Sequence, residues 1–456
     1  MNVNQKELTI VETANSSTKD LRRVLGFWDL MSQAVGQIIG AGIMSLTGVA
    51  IAMTGRSVPV SFILSAVLVL ISSIPMILIN ATARFRGGQY SIVGSLFSKK
   101  YSGAYMIMFI LTNVSIAMYA LSFADYAMPF IPFLPRKLLA LGILTLLYGL
   151  NLVGVDVMAK FQNAIVLILV VALAAFSAFG ITQLQPNYFS DSFITNGLLG
   201  LFRAGALLTF ATGGALAAAN LAGEAKNPTR DIPLVIIIST VAVAVLYGFM
   251  SVIAAGVLPV AQVAGQPLTW VAETILPRWL YVFFVVGGAW FALISTLNSQ
   301  LGWATKPVMQ ACEDGWFPRG LAHLHPKFKT PVYLLTIMYV LGFLPIVFDL
   351  DISIIGSITI IVYSLNNVLL CASLLGVNKI MPALWNKSKF KVSDGMIKFI
   401  VVISIVINLL QFVLLASDLT TPLLIGNIAV IAFAFLYSIG RYSTGKVEIL
   451  ESYEEN

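Results

Sequence analysis

The sequence predicts an all-α integral membrane protein of about twelve transmembrane helices. Three observations carry that prediction. Of the 456 residues, 58% are hydrophobic and only 10% are charged, where a soluble protein carries roughly 25% charged residues. The apolar residues gather in long runs, most near the roughly 20 residues a helix needs to cross about 30 Å of hydrocarbon. The charges gather between those runs rather than along them. This much apolar surface needs lipid as its solvent.

In chain order the first six runs lie at 25–54, 58–83, 104–129, 137–153, 161–182 and 197–222. The next six lie at 234–259, 280–303, 331–348, 352–375, 397–416 and 421–440. They are spans 1 to 12, of which spans 4 and 9 are the shortest.

Lysine and arginine orient the spans, because cytoplasmic loops hold the excess. With the amino terminus inside, 22 of the 27 such residues are cytoplasmic. Arg56, Arg136, Lys137 and Arg278 are outside, and Arg203 falls within a run. Both tails, 1–23 and 441–456, are therefore expected in the cytoplasm. The net charge of +7 then belongs to a lipid surface, and no nucleic-acid partner is expected. The polar first twenty residues lack the apolar core and cleavage site of a removable leader. Cys312 and Cys371 make no disulfide framework, and His323 and His325 share one polar loop.

Two connections are long, Arg84 to Gly103 and Val260 to Trp279. Each follows the second helix of a block of five, on opposite faces of the membrane. Two five-helix repeats of inverted orientation would produce that pattern, over 24–182 and 197–375, with two additional helices at 397–440.

Span 1 carries Gly36-Gln-Ile-Ile39-Gly40-Ala41-Gly42-Ile43, and span 6 carries Phe210-Ala211-Thr212-Gly213-Gly214. Glycine lowers the resistance to unwinding in mid-span, although small residues also serve close helix packing. The equivalent position of the two interruptions favours unwinding. Paired broken helices point to a transporter binding site. Freed backbone cannot face lipid, so it must line a cavity. Amino-terminal N–H groups there attract a carboxylate, and freed carbonyls accept from an ammonium group. That pair of features suits the head of an amino acid.

At these residues the chain resembles the amino acid–polyamine–organocation superfamily of permeases, with the leucine-transporter type of fold. The resemblance spans most of the chain. It includes Ile39-Gly-Ala-Gly-Ile43, Arg86-Gly-Gly-Gln-Tyr90, Asn151-Leu-Val-Gly154 and Phe161-Gln162-Asn163. Its most specific segment is Glu224-Ala-Lys-Asn-Pro-Thr-Arg-Asp-Ile-Pro233, joined by Asp314-Gly-Trp-Phe-Pro318 and Thr330-Pro331.

The resemblance implies a secondary amino-acid permease of the plasma or inner membrane. It places Ile39, Gly40, Ala41, Gly42, Ile43, Phe210, Ala211, Thr212, Gly213 and Gly214 around the substrate. The N–H groups of Gly40, Ala41 and Gly42 would hold the carboxylate, and the carbonyls of Phe210, Ala211 and Gly213 the amino group. Phe210 would also be the aromatic gate. Sodium-coupled relatives bind one ion between helices 1 and 8. The matching positions here are the carbonyls of Gly36 and Ile39 with Ala292, Ser295 and Thr296. Proton-linked relatives instead carry a lysine within helix 5, and here only Lys160 stands at that helix's mouth. Sodium is the expected coupling ion, with proton symport or exchange as the alternative. No other cofactor is expected.

The sequence also departs from the family. A glutamate found two residues after the second glycine of helix 6 in many relatives is Leu216 here, and the first of a usual acid pair is Gly223. Without that carboxylate a cationic cargo lacks its counter-charge, so a neutral, small or apolar amino acid is expected. The loop Pro129 to Pro135 has no cysteine, so no disulfide-linked ancillary subunit is expected.

Other polar groups inside spans have plainer readings. Arg203 either guides substrate, paired with Asp125, or snorkels to the outer interface. Asn113, Asn366 and Asn367 are read as interhelical hydrogen-bonders, and Asp29 as a favourable charge at a helix amino terminus. A membrane enzyme would need a clustered catalytic set, which the sequence does not offer. A non-transporting amino-acid sensor on the same scaffold remains a second class.

Overall fold

The computed structural model describes residues 18–189, 193–350, 352–416 and 419–455. Residues 1–17 of the amino-terminal tail and Asn456 of the other tail lie outside the described residues.

All twelve apolar runs are helical. Span 1 is two helices, Phe27–Ile38 (1a) and Ala41–Thr54 (1b), and span 2 is Val58–Asn80. Span 3 is Ser102–Thr112 with Ser115–Ala127, span 4 is Arg136–Leu152 and span 5 is Val155–Gly180. Span 6 is Gly197–Thr212 (6a) followed by a 3₁₀ segment Ala215–Leu221 (6b), and span 7 is Pro228–Gly256. Span 8 is Arg278–Glu313. Spans 9 to 12 are Val332–Val347, Ile352–Ile380, Asp394–Ala416 and Thr421–Ser443. Proline opens spans 2 and 7 as Pro59 and Pro228, where a missing N–H removes no helical bond. The short spans predicted from sequence, 4 and 9, are helices of 17 and 16 residues.

Each long connection carries short helices, Gly88–Ile92 in the first and Val260–Val263 with Leu268–Ile275 in the second. Span 8 runs through the middle of the molecule. Its residues from Ala292 to Met309 are nearly all buried, polar side chains included. Span 12 is mostly turned outward, with three buried residues. An interior this rich in hydroxyls and amides must satisfy them by cross-helix bonds, since lipid supplies none.

Both described chain ends lie on one face. Leu25 pairs with Ala225 before span 7. Near the other end Tyr453–Glu454 pairs antiparallel with Arg84–Phe85. Arg23 Nη2 lies 2.6 Å from Glu454 Oε1. An even number of crossings requires this shared face.

The sequence boundary of span 8 is corrected. The apolar run predicts an end near 303. The helix continues to Glu313 and Lys306 is buried within it. Arg56, Arg84 and Arg86, read as loop charges, are buried as well. Arg56 donates to Gln185 Oε1 at 2.7 Å and to the Asn187 carbonyl, anchoring the connection between spans 5 and 6.

Candidate functional site

The two breaks form where the glycines stand, and they meet. Span 1a ends at Ile38, Ile39 is extended, and helix resumes at Ala41 after Gly40. In span 6 the chain leaves the helix at Gly213, and Gly214 has φ 122°, a conformation that favours glycine. A Cβ on Gly214 would lie 2.9 Å from the Gln37 carbonyl oxygen. One on Gly42 would lie 2.8 Å from the Ala211 Cα. The amino-terminal turn of span 1b therefore abuts the last turn of span 6a. First-turn N–H groups and last-turn carbonyls lack intrahelical partners, so a positive helix end lies beside a negative one.

A cavity of about 190 Å³ opens at this junction. Phe210, Gly213 and Gly214 line it from span 6, together with Leu216, and Gln37 lines it from span 1. Phe210 is 37% exposed, as a residue at the mouth of a cavity would be. Gln300 and Trp303 of span 8, Asn366 and Asn367 of span 10, and Asn408 and Gln411 of span 11 also line it, together with residues of spans 2 and 3. Among the described residues, no charged side chain lines it.

The remaining predicted substrate residues lie behind that lining. Gly40, Gly42 and Ala211 are in the packed junction, and the Ile39 and Ile43 side chains are fully buried in the core. Thr212 turns its hydroxyl away, to Ser65 Oγ and the Leu208 carbonyl, both at 3.2 Å. Its part is to tie span 6 to span 2.

The five positions matched to an ion site do come together. Thr296 Oγ1 lies 2.8 Å from the Gly36 carbonyl oxygen, 3.2 Å from that of Ile39 and 2.9 Å from that of Ala292. Ser295 Oγ lies 3.4 Å from the Gly36 carbonyl and 2.9 Å from that of Ala292. The two hydroxyls donate to these carbonyls, and the five buried, neutral oxygens are the hard donors that a cation such as sodium would take.

Sequence reasoning passed over the amides beside this cluster. Gln162 of span 5 donates to the Ser295 carbonyl at 3.2 Å. Its Oε1 accepts from Asn298 Nδ2 at 2.8 Å, and Asn298 Oδ1 accepts from Asn151 at 3.0 Å. The signal was present in Phe161-Gln162-Asn163, which was read only as a family motif.

Also missed was a buried ion pair on the face of the chain ends. Lys306 Nζ lies 2.8 Å from Glu224 Oε1, with both side chains under a tenth exposed.

Other expectations divide. Asp125 pairs with Arg136, at 2.5 and 2.8 Å, rather than with Arg203. Arg203 is exposed, as a side chain reaching an interface would be. Asn113 accepts from Gln300 at 3.0 Å, joining span 3 to span 8. Asp29 accepts from the Gly26 N–H at 2.9 Å and from Asn163 at 2.7 Å, completing the start of span 1a.

A family model described as amino acid permease matches residues 25–439. A branched-chain amino acid permease of Bacillus subtilis is 27% identical, covering 72% of this chain and 75% of that protein. A methylthioribose transporter of the same organism is 26% identical, covering 70% and 73%. Cationic amino acid transporter 1 of Arabidopsis thaliana is 24% identical, covering 72% and 58%.

Proposed function

The chain belongs to the amino acid permease family, and from that premise we propose a secondary transporter for a neutral amino acid, coupled to sodium. As a member it is a multi-pass membrane transporter for amino acids and not an enzyme. We place it in the cell membrane with both termini in the cytoplasm, on the distribution of its lysines and arginines.

One observation supports the neutral cargo above others. The cavity at the paired breaks has no charged lining residue among those described, and Leu216 stands where a counter-charge would be. A cationic or acidic side chain would be buried there without an opposite charge. The head of the substrate would meet the first N–H groups of span 1b and the last carbonyls of span 6a.

Sodium coupling is supported by the oxygen cluster of Gly36, Ile39, Ala292, Ser295 and Thr296. Bound there, the ion would supply the positive charge that couples substrate movement to its gradient. The cluster joins the break of span 1 to span 8, so these residues would link ion occupancy to the position of span 1a. Alternating access would then rock the broken helices about the fixed site.

Uptake of each of the twenty labelled amino acids into proteoliposomes tests the function. Saturable uptake of one or more neutral amino acids is expected. Binding without uptake would make the chain a sensor, and uptake confined to lysine or arginine would contradict the neutral cargo.

A further inference from the structure

We propose that the carboxyl-terminal segment, residues 446–455, is a latch on the floor of the cavity, and that it must undock for cargo to pass on the face of the chain ends. This rests on the cavity being the substrate path.

The floor is the connection between spans 2 and 3. Gln89 lines the cavity, donating its backbone N–H to Asn220 Oδ1 and its side-chain amide to the Leu216 carbonyl, both at 3.0 Å. Its Oε1 accepts from the Tyr105 hydroxyl at 3.0 Å. One side chain therefore joins span 3 to the 6b segment just beyond the break. Gly88, with φ 57°, permits the close approach, since a Cβ there would lie 2.6 Å from the Asn220 Cα. A passage toward this face opens only when Gln89 parts from 6b.

The carboxyl-terminal segment is docked on that connection. Tyr453–Glu454 pairs with Arg84–Phe85. The Arg86 N–H donates to the Ser452 carbonyl at 2.9 Å, and its Nη2 to the Glu451 carbonyl at 3.0 Å. The Ser452 and Ser91 hydroxyl oxygens are 2.6 Å apart. Glu454 faces three guanidinium groups, those of Arg23 at 2.6 Å, Arg86 at 3.2 Å and Arg84 at 3.6 Å. Arg23 leads into the broken helix 1a, and Arg84 and Arg86 lead into Gln89. At the end of span 8, Asp314 accepts from the Glu448 N–H at 3.0 Å and the Leu450 N–H at 3.3 Å. The segment thus ties the start of 1a, the floor and the end of span 8, parts that rocking about the break would separate.

The composition of the tie suits release. Among residues 446–455 only Val447 and Ser452 are buried. Backbone bonds and ion pairs hold the segment, with almost no apolar core beneath it. Segments with few buried apolar contacts open at low cost, and exposed ion pairs add little individually.

A reversible lock tests the latch. Ser91→Cys with Ser452→Cys, in a full-length chain carrying Cys312→Ala and Cys371→Ala, sets two thiols where hydroxyl oxygens lie 2.6 Å apart, within reach of a disulfide. An added oxidant, copper phenanthroline, is expected to cross-link them and stop amino-acid uptake into proteoliposomes, and a reductant to restore it. Uptake that continues in the cross-linked chain, or thiols that fail to cross-link, would overturn the latch. No uptake by the wild type would instead overturn the transporter reading, and a labelling measurement then decides the latch by itself. Glu454→Gln keeps the size of the side chain and removes its charge. It is expected to speed labelling of Ala217→Cys, a position of 6b that lines the cavity, by an impermeant thiol reagent from the face of the chain ends. The expected gain is about fivefold or more. An unchanged labelling rate would overturn the proposal.

Discussion

Thr296 Oγ1 stands 2.8 Å from the carbonyl oxygen of Gly36, at the point where span 8 touches the unwinding end of span 1a. A threonine hydroxyl commonly bonds back to its own helix, and this one does so at Ala292. It also reaches across to two carbonyls of span 1, so it joins the two spans at the break.

Sodium dependence follows from that contact. Uptake measured at fixed pH should fall by about tenfold or more when choline replaces sodium, and Thr296→Ala should raise the sodium concentration needed. Uptake that ignores sodium but collapses with a protonophore would assign coupling to protons.

The junction of the two breaks makes a steric prediction. Gly42→Leu places carbon where the Ala211 backbone already sits, and it should abolish substrate binding in a thermal-shift assay. Phe210→Ala should leave expression intact and slow transport by about tenfold or more, as loss of a closing group does. Wild-type behaviour of both variants would move the site elsewhere.

The pair Lys306 and Glu224 is buried on both sides, and Glu224 Oε2 has no hydrogen-bond partner. Removing one partner strands the other charge. Lys306→Met or Glu224→Met alone should cost about 3–5 kcal/mol, and the double variant should recover most of it. Melting temperatures in detergent would show this as a double-mutant cycle. Equal losses that simply add would mean the two groups do not act as a pair.

Asp314, just beyond span 8, gives a pH dependence. It accepts from Tyr90 at 2.7 Å and Gln310 at 3.0 Å, and from the Leu450 N–H at 3.3 Å, so it holds the carboxyl-terminal segment. Burial outweighs these bonds and raises its carboxyl from 3.8 to about 6. Between those values the folded chain binds a proton that the unfolded chain has lost. Stability should therefore fall as pH rises through that window, by on the order of 3 kcal/mol. Asp314→Asn should flatten the slope of melting temperature between about pH 4 and about pH 7. An unchanged slope would assign it to other groups.

The spans were legible because an apolar run long enough for lipid has few other uses. The breaks were legible because Gly40, Gly42, Gly213 and Gly214 mark them locally. Relations between distant residues were not. Glu224 and Lys306 are 82 residues apart, and Lys306 looked like a loop charge because a buried partner cannot be seen from one segment. Asp125 was matched with Arg203, whereas Arg136 stands 11 residues along and reaches it first. The pairing of Tyr453–Glu454 with Arg84–Phe85 involves two residues on each side, too few for any periodic signal. The polar lining of the cavity comes from seven spans, and only the packed fold puts Gln300 and Asn366 around one space.

The central claim is that a neutral amino acid crosses through the junction of spans 1 and 6. The most direct measurement is accumulation of labelled neutral amino acids in sodium-driven proteoliposomes, wild type beside Gly42→Leu. The account predicts saturable accumulation by the wild type and none by the variant, with both proteins present at equal amounts in the membrane. Equal accumulation by the two, or none by the wild type for any neutral amino acid, would contradict it.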